Sequence, residues 1–96
     1  MLGLVERERL VVTVMGQDRV GIVAGISGVL AENKVNIIDL TSTEMHGLFV
    51  MIVLAEIPEG KITVGELQER LKKKGEELGI QVVAQDEAVF RYLHRI

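Results

Sequence analysis

The stretch GQDRVGIVAGISGVLAENKVNI, residues 16–37, decides the fold. It opens on a polar turn, GQDRVG, continues with apolar residues at helical spacing and closes on V-N-I, the start of an extended run. Ile22, Ile26 and Val29, with Val23 and Leu30 beside them, recur at three and four residues, so one face of a helix spans about 20–33 and ends at Asn33 and Lys34. Gly21, Gly25 and Gly28 interrupt it, although a glycine inside a helix costs about 1 kcal/mol against alanine. Close packing on a second helix is the plain reading of Gly25 and Gly28. Gly21 lies in the turn, where it makes room for a ligand or a neighbouring backbone.

Outward from this stretch the periodicity changes repeatedly. RLVVTVM (9–15) is short and β-branched, a strand. NIIDLTSTEM (36–45) and LFVMIVLAEI (48–57) are separated only by His46 and Gly47, which predicts a tight antiparallel hairpin with positive φ at both residues. Pro58, Glu59 and Gly60 end the second strand. Thr63 with Glu66 makes a capping box ahead of Leu67, Leu71 and Leu78, so a helix covers 63–78, with Glu66 to Arg70 and Glu69 to Lys73 four apart and Gly79 as a left-handed cap. IQVVAQ (80–85) is a further strand, and Asp86 caps a last short helix carrying Val89, Phe90 and Leu93. The order predicts an α+β, ferredoxin-like βαββαβ sandwich. Its four-stranded antiparallel sheet carries two helices on one face, with strands one and three in the middle and a short C-terminal helix added.

Composition narrows the function. At 96 residues and 48% hydrophobic content the chain is one domain over 1–96, with 1–7 and 86–96 as terminal extensions. A net charge of −3 gives no reason to expect nucleic acid or an anionic membrane, and three aromatic residues are few for RNA stacking. The absence of cysteine removes disulfides and thiol chemistry and fits a reducing compartment. With no apolar run near ~20 residues and no signal-peptide pattern, a cytoplasmic protein is expected. His46 and His94 lack partners at metal spacing, and Ser27, Thr41 and Ser42 lack a base, so neither metal, cofactor nor catalysis is expected. Met15, Met45 and Met51 read as core fillers.

DRVGIVAGISGVLAENKVNI resembles the core of an ACT domain, whose usual form is a D-R-P-G loop followed by an aliphatic residue, a helix, and a stretch ending in V-N-I. Asp18, Arg19, Gly21, Ile22, Val23, Leu30, Asn33, Val35, Asn36 and Ile37 match without a gap, and Val20 stands in place of the usual proline. MHGLFVM and the tail LHRI are similar to small stand-alone members related to the repressor of the glycine cleavage system. The resemblance implies regulation: a free amino acid bound at a domain–domain interface, with allosteric effect on a protein partner acting in trans. It also implies a ligand site at Asp18, Arg19, Val20, Gly21, Ile22, Asn36 and Ile37. Asp18 can accept from an ammonium, the N–H groups of Val20, Gly21 and Ile22 can face a carboxylate, and Asn36 can donate and accept. The same residues also fit structural roles, with Asp18 as a helix cap and Asn36 satisfying a turn.

An antiparallel sheet with helices on one side should alternate apolar with polar residues. The second hairpin strand does not: Leu48, Val50, Ile52 and Leu54 line one face, and Phe49, Met51, Val53 and Ala55 the other. Val11, Met15, Ile37 and Val83 are expected to extend the uncovered face. A second subunit, in a two-fold homodimer, or the C-terminal segment with Phe90, Tyr92 and Leu93 should cover it. Two other functions remain open. One is a ligand-free dimerisation or partner-binding module. The other, an acylphosphatase-like hydrolase, is weaker because Asp18 beside Arg19 repels a phosphate.

Overall fold

The computed structural model describes residues 8–17, 21–60 and 62–94. Seven elements follow one another: β1 (Arg9–Gln17), α1 (Ile22–Glu32), β2 (Asn36–Met45), β3 (Leu48–Glu56), α2 (Val64–Leu78), β4 (Gln81–Asp86) and α3 (Glu87–Leu93). The four strands form one antiparallel sheet in the order β2-β3-β1-β4, so the expected ferredoxin-like arrangement, with strands one and three central, is the observed one. No helix among the described residues is long and apolar enough to cross a membrane.

Alternation along the strands sets the two faces. Leu10, Val12 and Val14 of β1 and Met51, Val53 and Ala55 of β3 are buried, and they meet Ile22, Ile26, Val29 and Leu30 of α1 and Leu67 and Leu71 of α2 in one core. The side chains between them face the other way. Of Met15, Met45 and Met51, only Met51 fills the core; Met15 (40% exposed) and Met45 (56%) lie outside it, because their register places them on the face without α1 and α2.

Local chemistry places the ends of the elements. Positive φ at His46 (48°) and Gly47 (84°) closes the β2–β3 hairpin in the sense that matches strand twist. At the start of α2, the Thr63 hydroxyl accepts from the Glu66 N–H at 3.1 Å, and the Glu66 carboxylate accepts from the Thr63 N–H at 3.1 Å. Gly79 (φ 71°) caps the other end. Asp86 accepts from the Ala88 N–H at 2.8 Å and starts α3.

Two glycines act by their lack of a side chain. A Cβ on Gly25 would stand 3.0 Å from Leu78 of α2, so the expected close helix packing holds there. At Gly28 a Cβ would meet nothing within 4 Å, because this position turns to the flank of α1, and packing does not explain it. Among the helical glycines the closest approach is at Gly75, which the sequence did not single out: a Cβ there would stand 2.7 Å from Val82 Cγ2 and 3.3 Å from the Ile80 carbonyl oxygen. Gly75 lets α2 lie down on β4.

The expectation for Ile37 is corrected by a β-bulge. Ile37 pairs with Ala55, and the register shifts before Asp39 pairs with Leu54. One extra residue inverts the alternation. Ile37 therefore shares the helix-side face with Ala55 rather than extending the open one.

Candidate functional site

Gly21 precedes α1 in the left-handed region (φ 92°), and its carbonyl accepts from the Gly25 N–H at 2.7 Å. A Cβ there would meet nothing within 4 Å. The backbone angle calls for glycine, and among the described residues no neighbour does. Among the described residues the helix has no side-chain cap and no acidic residue in its first turn. Ile22 is buried and anchors this end in the core, leaving its backbone N–H as the group it can offer. Asp18, Arg19 and Val20 lie outside the described residues.

Asn36 and Ile37 are far away. Gln17, at the loop end of the sheet, pairs with Leu48, which pairs with Met45; Asn36 pairs with Glu56, which pairs with Arg9. Eight residue steps separate Leu48 from Glu56, about 26 Å of strand. The cause is α1 itself: its 11 residues carry the chain about 16 Å back along the sheet before β2 begins. Within one protomer the two halves of the expected site sit at opposite ends of the sheet. Both Asn36 and Ile37 are exposed, as is every other residue of β2, an edge strand with nothing beside it among the described residues.

Asn33, part of the same matching stretch, is structural. Its Nδ2 donates to the Val29 carbonyl at 2.7 Å, and its Oδ1 accepts from the Arg70 guanidinium, which ties the end of α1 to α2. Arg70 was expected to serve Glu66. The hydrogen bond from the Thr63 backbone is instead the main influence holding the Glu66 carboxyl below its ordinary value, with the Thr63 hydroxyl next and the Arg70 charge contributing least.

A separate cleft of about 560 Å³ lies where α3 crosses the open face, floored by Val11, Ile52 and Leu54 and walled by Glu87, Phe90 and His94. Glu87 binds Arg91 at 2.8 Å and Arg9 at 3.7 Å, and the Phe90 and His94 rings stack at 4.2 Å. The sequence offered Phe90 as a cover for this face but gave no sign of the charged wall beside it.

Comparison with known proteins places the chain in a family. The model of the ACT domain family matches residues 8–85. A UPF0237 protein of Methanocaldococcus jannaschii is 56% identical over 88 residues, covering 92% of this chain and 98% of the relative. One of Methanopyrus kandleri is 52% identical over the same share of each. Among solved structures, an ACT domain protein from Streptococcus pneumoniae superposes with a TM-score of 0.78 at 30% identity, over 88% of this chain and 96% of that one. A candidate glycine cleavage system transcriptional repressor shares the fold at a TM-score of 0.73 and 20% identity, over 82% of this chain and 45% of its own.

Proposed function

The chain belongs to the ACT domain family, a family of regulatory modules, and on that premise we propose that it is an amino-acid sensor that works as a two-fold homodimer in the cytoplasm. The observation that carries this reading is the separation of the two site halves along a bare edge strand. One amino acid cannot touch both the Gly21 turn and the Asn36 of the same protomer. When a second copy aligns its β2 antiparallel to the first, the partner's Asn36 arrives at the end of the sheet where the loop stands. The ligand site is then shared between subunits.

In that site the roles divide by charge. The N–H groups of Val20, Gly21 and Ile22 at the positive end of α1 receive the carboxylate, and Asp18 accepts from the ammonium. The amide of the partner's Asn36 bonds to either group, with Ile37 beside it, while Arg19 flanks the carboxylate side. Binding across the interface stabilises one dimer geometry, and the surface so presented is what a regulated protein reads in trans.

A thermal-shift series of the purified protein against the twenty amino acids tests this. For one of them the midpoint rises with concentration, by the equivalent of about 2.7 kcal/mol at a hundred times its dissociation constant. The rise disappears in Asp18→Ala and in Asn36→Ala. If no amino acid shifts the midpoint while both variants melt lower than wild type, the loop is structural. The second reading, a ligand-free assembly module, then takes its place, a reading that the exposed apolar residues of the open face favour.

A further inference from the structure

The short helix α3 is mounted with Glu87 and Phe90 toward the sheet. Glu87, Phe90, Arg91 and His94 line the cleft against the sheet, while Val89, Tyr92 and Leu93 point outward and are 49%, 69% and 58% exposed. Residues at 89, 92 and 93 form one stripe, and no residue of α3 is buried. A helix that served only to cover its own sheet would turn this stripe down onto Val11, Ile52 and Leu54.

The sheet it crosses is incomplete in the complementary way. Facing α3's side are Val11, Thr13 and Met15 of β1, Thr41, Thr43 and Met45 of β2, Leu48, Val50, Ile52 and Leu54 of β3, and Val83 of β4, placed there by the register. Asp39 is the one charged residue between the ends of the strands on this face, where Gln81 and Gln85 are neutral. Depletion of charge marks the core of an interface rather than a solvated surface. α3 shelters only the Arg9 end, and Met15, Leu48 and Val83 beyond it stay exposed.

We propose that these two surfaces are the halves of one reciprocal contact: the Val89–Tyr92–Leu93 stripe of each copy docks on the open sheet face of a second copy of this chain. Because both halves belong to every protomer, a two-fold axis satisfies each with the other and leaves neither exposed. The size is adequate. Four strands at ~4.8 Å spacing over ~20 Å of length give about 400 Å² in plan, and seven helical residues add about 100 Å². Side-chain relief raises accessible area above plan area, toward the ~800 Å² per partner of a standard interface. This contact is distinct from pairing along β2, and the two together make a tetramer with two kinds of two-fold axis.

Light scattering on eluted wild-type protein, Val83→Glu and Tyr92→Glu tests it. Wild type runs as a multiple of the 10.6 kDa protomer, and each variant falls to half the wild-type mass, because a carboxylate buried in either half lacks a partner. Tyr92 is 69% exposed, and a circular dichroism spectrum of its variant matching the wild type ties its fall in mass to the contact even where Val83→Glu loses its fold. The inference is overturned by a wild-type mass of one protomer, by a mass unchanged in both variants, or by a fall in Val83→Glu with none in Tyr92→Glu. The reading of the ligand site is scored separately: an amino-acid response kept by Tyr92→Glu at half mass supports both, and a wild-type protein that responds to no amino acid counts only against the ligand site, whatever the masses of the variants.

Discussion

On β3, Val53 is buried and Ile52, one step along the same strand, is exposed; on β1, Val14 is buried and Met15 is not. The two faces of this sheet are built from the same kinds of side chain, and only what lies over them differs. On one side α1 and α2 close the core. On the other, a seven-residue helix covers one end and presents more apolar surface of its own. The covered face holds the protomer together, and the open face leaves Met15, Ile52 and Val83 exposed.

The strongest test of that division is a matched pair of truncations. Leu71→Ala, in the closed core, lowers stability by about 2–5 kcal/mol and the melting midpoint by about 10 °C or more. Val83→Thr, on the open face, leaves the isolated protomer's stability within about 0.5 kcal/mol. Equal losses in a dilute-protein melt would erase the distinction between the faces.

Two glycines sharpen it further, since alanine is the better helix former at both. Gly75→Ala drives a methyl into Val82 and the Ile80 carbonyl, and costs about 1–3 kcal/mol by urea denaturation. Gly28→Ala meets open space and gains about 0.5–1 kcal/mol. The smallest effect is at Glu66. Its folded-state carboxyl is lowered, so its contribution is present above the ordinary glutamate pKa of about 4.3 and is lost as pH falls through the folded value. The difference in melting midpoint between wild type and Glu66→Gln accordingly narrows from pH 7 toward pH 3.

Features written in adjacent residues were legible in the sequence: the His46–Gly47 hairpin, the Thr63–Glu66 box, the Gly79 and Asp86 caps and, through them, the order of the strands. Features depending on counts over longer spans were not. The face of Ile37 hinges on one bulged residue that no local pattern announces. Gly75 looked like an ordinary helical position because its neighbour, Val82, arrives from the next strand. Of the candidate site, Gly21 stands in a turn and Asn36 starts a strand, as the sequence indicates, but their separation follows from the length of α1, which returns the chain to the far end of the sheet.

The position of β1 also has a consequence for synthesis. β1 lies between β3 and β4, so the first strand made bonds only to strands made later. From Gln17 to Glu56 a ribosome adding 5–20 residues per second takes about 2–8 s. Through that interval LVVTVM, an apolar and β-prone hexapeptide without charge or proline, has no native neighbour, and in a newborn chain it is the segment with most to gain from a chaperone.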